Sequence, residues 1–329
     1  MKTQFEFTRQ LSSEAARNLT DNDLDILKVH HEYGLVSVKD LCVELGKTSY
    51  QYIRKRCTIL CKGGYLVRPE IQEEIYKNRT GAGSRPLVHS LGQGGADALA
   101  DRLGYETGPR NWNDKARNRG GKKGQFQFEH EVEATGVIIA LKRAYSQIEG
   151  VEVLSPQEII TGAPQATRAI QKPWSMPTPY TWPKKHTVYH RNVVPDGVFA
   201  YRWTIEGQEH TFIVFIEYDR DTMQLTSEDG ERTSIEQKVA AYVGLHKSAL
   251  VKQRFGVPHF QVMFVTAGNQ HHRSGMYKAA RDYMAAYGKP VPKGLFYFTT
   301  TEEFYSAQSP LDKIWVDWKG GFRGFRTST

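Results

Sequence analysis

The chain has 329 residues with Lys+Arg 44 against Asp+Glu 36, a formal net charge of +8, so it is long enough for two separately packed domains and favours a polyanionic partner. Its three cysteines are too few for a disulfide scaffold, and no apolar run approaches the ~20 residues that a membrane-spanning helix needs. No secretory signal pattern opens the chain either, and a cytoplasmic location with no membrane partner is expected.

Residues 1 to 19 carry little periodic signal. Thr20 then caps a helix in T-D-N-D, with Asp23 at the third helical position and Leu24, Leu27 and the neighbourhood of Tyr33 as its apolar set, up to a stop at Gly34. Ser37 caps a second helix, in which Val38, Leu41, Cys42 and Leu45 follow the i, i+3, i+4, i+7 pattern and Gly46 ends the run. A third helix runs from Tyr50 to Leu60 behind Ser49. Its inner face is Ile53, Cys57 and Leu60, while Gln51, Arg54, Lys55 and Thr58 look outward. Three short helices at this spacing, the last one basic, describe a helix-turn-helix whose third helix enters a major groove.

After Gly63-Gly64, Y-L-V-R-P and R-P-L-V-H-S can pair as a hairpin across K-N-R-T-G-A-G-S-R. That hairpin would be a wing, with Lys77, Arg79 and Arg85 at its tip facing phosphates. Double-stranded DNA is therefore the expected partner of residues 1–108. Cys42, Cys57 and Cys61 fit no zinc-knuckle spacing with His30, His31 or His89, and buried free thiols are the better reading. The next helix, Gly94 to Leu103, serves either as a homodimer contact or as packing for its own domain. Residues 109–126 read as a basic linker, with six basic residues and one acid in P-R-N-W-N-D-K-A-R-N-R-G-G-K-K-G-Q and Trp112 available to stack on a base.

From residue 127 the pattern becomes regular. Phe128 to Tyr145 is helical, and Glu129 and Glu133 share one face at i, i+4, a repulsion that a metal or a basic neighbour would relieve. V-E-V-L-S-P begins a sheet. The stretch 161–190, with four prolines from Pro173 to Pro183, excludes a helix there and reads as a long loop, made basic by Lys184, Lys185, His186 and His190. Asp196 follows in V-V-P-D-G-V-F. Thr211 to Asp219, T-F-I-V-F-I-E-Y-D, is an apolar strand suited to the middle of a sheet. Glu217 and Asp219 leave one face of its end, so with Asp196 they make either a divalent-metal or general-base site or a set of strand-end carboxylates facing water. A helix from Ser234 to Leu250 carries Lys238 and Tyr242 on one side. A buried strand in P-H-F-Q-V-M-F-V-T, a helix from about Ser274 to Tyr287 and the strand G-L-F-Y-F-T-T complete a mixed α/β domain over 127–329. No G-x-G-x-x-G or G-x-x-x-x-G-K-[ST] pattern supports nucleotide-fuelled chemistry.

The order P-D, strand with E-x-D, then helix with K-x-x-x-Y, behind a basic winged helix-turn-helix, resembles the replication-relaxation family of plasmid-associated and mobile-element proteins. The second half is similar to the three-layer PD-(D/E)XK nuclease fold. That resemblance implies a metal site in which Asp196, Glu217 and either Glu129 or Glu133 hold magnesium or manganese. The catalytic set would be Asp196, Glu217, Asp219 and Lys238, because Asp219 occupies the place of the motif's lysine and Lys238 would stand in from the helix. In an inert site Asp219 would instead pair with Arg220 or Lys238. The family implies a DNA-binding accessory or regulatory protein for replication, mobilisation or transposition. The alternatives are a metal-dependent DNA endonuclease and a scaffold docking a relaxase, transposase or replication protein.

Overall fold

The computed structural model describes residues 19–77, 87–105, 122–205, 207–228 and 233–325. The chain is a mixed α/β protein that divides into two compact units between Ile139 and Ala140.

In the first unit, α1 (Asp21–Tyr33) starts in a full capping box between Thr20 and Asp23, as T-D-N-D requires. β1 (Val36–Ser37) leads into α2 (Val38–Glu44), capped by Ser37, and α3 (Tyr50–Lys62), capped by Ser49. β2 (Leu66–Val67), α4 (Ile71–Lys77), β3 (Val88–Leu91) and α5 (Gln93–Leu103) follow. The strands form a small antiparallel sheet in the order β1-β3-β2, with Val36 opposite His89 and Leu66 opposite Leu91. Ile26, Leu27, Leu41, Ile53, Cys57, Leu60 and Leu99 make the core, so the apolar faces read from the sequence are the faces that pack. Buried Asp23 also receives Arg56, at 2.9 Å from Nε and 2.6 Å from Nη2, which ties α3 to the start of α1. Burial pushes the Asp23 carboxyl up, but Arg56 and Thr20 outweigh it and hold the group below its usual range.

The segments expected as a hairpin do pair, through Leu66–Leu91 and Val67–Ser90, but α4 intervenes before the expected tip. Ile71 and Ile75 explain it. Four residues apart, they pack on one side of a helical turn against Leu35 and Val88. Gln72 then pairs with the backbone of Val88 through both ends of its amide, at 2.8 and 3.2 Å, as a strand would. The cysteines are free thiols, with burial pushing Cys57 to about 12 and Cys61 to about 11. Arg79, Arg85, Trp112 and most of the basic linker lie outside the described residues, as does the side chain of Lys77.

Helix α6 (Lys122–Tyr145) begins earlier than its apolar pattern suggested and contains the boundary between the units. The second unit then contains β4 (Val151–Leu154), α7 (Pro156–Thr161), α8 (Gln165–Arg168), β5 (Met176–Trp182), β6 (Thr187–Val193), β7 (Gly197–Ile205) and β8 (Gln208–Asp219). After these come α9 (Ile235–Lys247), α10 (Leu250–Phe255), β9 (His259–Thr266), α11 (Gln270–Tyr287), β10 (Phe296–Thr300), α12 (Thr301–Ser306), β11 (Trp315–Asp317) and β12 (Phe322–Arg323). The main sheet runs β12-β11-β10-β9-β8-β7-β4, parallel where β8, β9 and β10 meet and antiparallel elsewhere. β8 and β9 are buried on both faces, which is why each reads as an unbroken apolar run.

The Pro-rich stretch is not the loop its composition suggested. β5 and β6 form a separate two-stranded hairpin in which Met176, Thr178, Tyr180 and Trp182 are buried and the residues between them exposed. Pro177 and Pro179 occupy the outward positions of M-P-T-P-Y-T-W, and proline is tolerated on such a free strand edge. Near the C-terminal end of the described residues, the Phe325 ring meets Trp315 and Tyr297 while Arg323 bonds Asp317 at 2.9 Å.

Candidate functional site

The ends of β7 and β8 bring two acids together. Gly197 pairs with Ile216, and one residue earlier the Asp196 N–H continues the ladder to the Ile216 carbonyl at 3.0 Å. The Asp196 carboxylate accepts the Tyr218 N–H at 2.8 Å, so it is held over the end of β8 while its side chain stays exposed. Glu217 lies on the same face of β8 as Phe215 and is only 3% exposed.

The face that buries Glu217 is covered by α9. Ser234 caps this helix, accepting the Gln237 N–H at 3.1 Å, and Lys238 and Tyr242, four residues apart, point the same way. Lys238 forms an ion pair with Glu217 Oε2, and the Tyr242 hydroxyl donates to Oε1 at 2.5 Å. Burial raises the Glu217 pKa and the Asp196 charge adds to it, whereas Lys238 and Tyr242 act to lower it. For Lys238 burial works downward, but Glu217, Asp196 and Asp219 together outweigh it and the ammonium keeps its proton. Tyr242 is pushed well above its usual range by burial and by the Glu217 charge beside it.

Asp219, next on the same face, belongs to a different set of contacts. It is buried, and its Oδ2 lies 2.8 Å from His272 Nε2 and accepts Thr266 Oγ1 at 3.2 Å, while Oδ1 accepts the Met223 N–H at 3.3 Å. The other imidazole nitrogen, Nδ1, lies 2.8 Å from Asp221. Asp219 therefore bonds His272 rather than Arg220 or Lys238, although its charge still reaches Lys238. His272 did not emerge from the sequence reading, and the available signal was Asn269. That residue caps α11 by accepting the His271 and His272 N–H groups, starting the helix four residues before the expected position and placing His272 in its first turn.

The basic β5–β6 hairpin is partly engaged with the start of α9. Lys184 pairs with Glu236 at 3.1 Å, and Arg191 donates to Gln237 and to Thr233 Oγ1 at 2.6 Å. Lys185, His186 and His190 remain exposed.

Glu133 and Glu129 fall in the first unit, and the Gln125 amide donates to Glu129 at 3.4 Å. Among the described residues, no group of three or more His, Cys, Asp or Glu side chains comes together to hold a metal. The Asp196 and Glu217 carboxylates suit magnesium or manganese as oxygen donors, and the repulsion that Asp196 exerts on Glu217 is of the kind a divalent cation relieves. In this arrangement Lys238 already supplies a positive charge against Glu217.

In the first unit, the face of α3 opposite Ile53, Cys57 and Leu60 exposes Gln51, Arg54 and Lys55, with Tyr52 and Ile59 beside them. Arg56 is turned away to Asp23.

Comparison with known proteins identifies a family. The replication-relaxation family, associated with plasmid and mobile-element replication, matches residues 38–257, more than half of the chain. No curated protein and no solved structure matches.

Proposed function

Because the chain belongs to the replication-relaxation family, we propose that it is a DNA-binding accessory or regulatory protein of plasmid or mobile-element replication, mobilisation or transposition. The observation that carries this reading is the solvent face of α3, where Gln51, Arg54 and Lys55 stand opposite a fully packed apolar face. The order α1, β1, α2, α3, β2, β3 with sheet order β1-β3-β2 supports a winged helix-turn-helix over residues 1–108. In this mechanism α3 enters the major groove, where Arg54 and Gln51 meet base edges and Lys55 meets phosphate. Lys77, Arg79 and Arg85 grip the flanking backbone, and residues 109–126 link this domain to the α/β domain from 127 onward.

The test is duplex binding by the whole chain across a salt series. Wild type should lose affinity linearly in log-log form as salt rises. Arg54→Ala with Lys55→Ala should weaken binding about 10- to 100-fold and flatten the slope by about one per lost phosphate contact. Absence of duplex binding by wild type at low salt, or a double variant as tight as wild type, would end this reading.

A second reading is favoured by one specific contact. Lys238 reaches Glu217 from α9, although Asp219 holds the position of the motif's lysine, and this contact supports an acid-acid-lysine set of the PD-(D/E)XK kind drawn from different elements. Asp196 and Glu217 would hold magnesium or manganese, which when bound would acidify a water and neutralise charge on the scissile phosphate. Lys238 would keep a positive charge beside them. Cleavage of supercoiled plasmid that needs the metal and disappears in Asp196→Asn, a change at an exposed side chain, supports this reading. No cleavage in either metal, with DNA still bound, leaves a binding protein.

A further inference from the structure

We propose that the second unit carries a pocket for a single unpaired nucleobase with its phosphate, separate from α3 and from the Asp196–Glu217 cluster. The pocket forms where the β5–β6 hairpin lies on α9 and α11. Gly244 of α9 makes that contact possible, since a Cβ there would sit 2.2 Å from the Pro179 carbonyl oxygen. Beside this contact is an opening of about 250 Å³ lined by Tyr180, Val188, Gly244, Lys247, Tyr283 and Tyr287.

Its walls are rigid and aromatic. Tyr283 and Tyr287, one helical turn apart on α11, stack with centroids 5.8 Å apart and planes 13° from parallel. Tyr283 is buried and donates its hydroxyl to the Thr181 carbonyl at 3.0 Å, and Tyr180 accepts the Gln237 amide at 2.9 Å, so neither ring needs ordering when a ligand arrives. Tyr287 is half-buried, and the Lys289 ammonium stands 5.7 Å from its ring centroid. Lys247 is held at the rim by the Pro290 carbonyl at 2.7 Å, and Val188 is 57% exposed on the opposite strand.

These features select one ligand chemistry. The opening is below the roughly 300 Å³ at which drug-sized ligand sites begin, which leaves room for one flat ring system. The half-buried Tyr287 favours an aromatic ring, and the Lys247 ammonium at the rim, with Lys289 beside Tyr287, favours an anion attached to it. No Asp or Glu is among the described lining residues, so nothing there repels that anion. A nucleobase carrying phosphate meets all three conditions, supplied either by an unpaired DNA strand or by a free nucleotide.

The test uses the full chain and anisotropy with a labelled oligo-dT, a duplex of equal length, and a mononucleotide as competitor. Tyr287→Leu should weaken oligo-dT binding about 10-fold or more while leaving duplex affinity unchanged, and Tyr287→Phe should retain the wild-type value. Lys247→Ala should weaken oligo-dT binding in the same direction. Displacement of oligo-dT by the mononucleotide at comparable concentration assigns the pocket to free nucleotide, and failure to displace assigns it to an unpaired strand. Unchanged oligo-dT affinity in both Tyr287→Leu and Lys247→Ala would overturn the proposal. That result is distinct from failure of the duplex reading, which Arg54 and Lys55 report.

Discussion

Each unit buries titratable groups, and one cluster in each does so in a way opposite to the other. In the second unit, Glu217 and Tyr242 are buried with the partly buried Lys238 against them, and both carboxylate oxygens have partners. In the first unit, His30 and His89 are buried edge to face with ring centroids 6.3 Å apart. His30 gives Nδ1–H to the Ile26 carbonyl at 2.8 Å, but among the described residues its Nε2 and both nitrogens of His89 have no hydrogen-bond partner. Burial holds His30 down at about 4 and His89 down at about 3, with His30 and Arg68 adding to the depression of His89. The paired cluster tolerates charge and is vulnerable to loss of a partner. The unpaired one tolerates only neutrality and is vulnerable to acid.

The largest expected effect breaks the first half of this contrast. Lys238→Met strands the Glu217 carboxylate in the interior and should lower stability by about 3–5 kcal/mol in denaturant unfolding. Adding Glu217→Gln, which removes the stranded charge, should recover a large part of it. A single variant as stable as wild type would mean the ion pair contributes little.

Acid should break the second half. Both histidines bind protons more weakly folded than unfolded, so their contribution is intact above about pH 6.5 and is lost as pH falls through the folded values near 4 and 3. At pH 5 the loss is roughly 2 kcal/mol per histidine. His89→Leu should flatten this dependence without touching the second unit, as read by the pH profile of thermal unfolding. An equally steep profile in the variant would move the acid sensitivity elsewhere.

A smaller effect sharpens the comparison within the second unit itself. His272 bridges Asp219 and Asp221, so His272→Gln should cost about 1 kcal/mol and leave the Glu217–Lys238 pair in place. If plasmid cleavage occurs, activity lost in His272→Gln at unchanged stability would make His272 a positioning residue of that site.

Periodicity and capping carried much of the architecture. Thr20, Ser37, Ser49 and Ser234 each cap the helix expected of them, and the alternation of apolar strands with amphipathic helices determined a mixed α/β protein. These signals are local, resting on hydrogen bonds and side-chain spacing within a few residues. The exceptions arose where local composition and the wider fold disagreed. Pro177 and Pro179 suggested a loop until the hairpin's free edge made them harmless, and α4 was hidden because its stability comes from packing Ile75 and from Gln72 on Val88.

The sequence by itself thus determined the types of the clearly periodic elements, the basic outer face of α3, and Asp196, Glu217 and Lys238 as residues of interest. Tertiary structure alone decided who meets whom. Glu217 takes Lys238 and Tyr242, whereas Asp219, two residues along the same strand face, is drawn to His272, because α9 covers one residue and the start of α11 covers the other. Partner choice between residues 21 to 53 positions apart depends on sheet order and helix placement, and no window of sequence contains either.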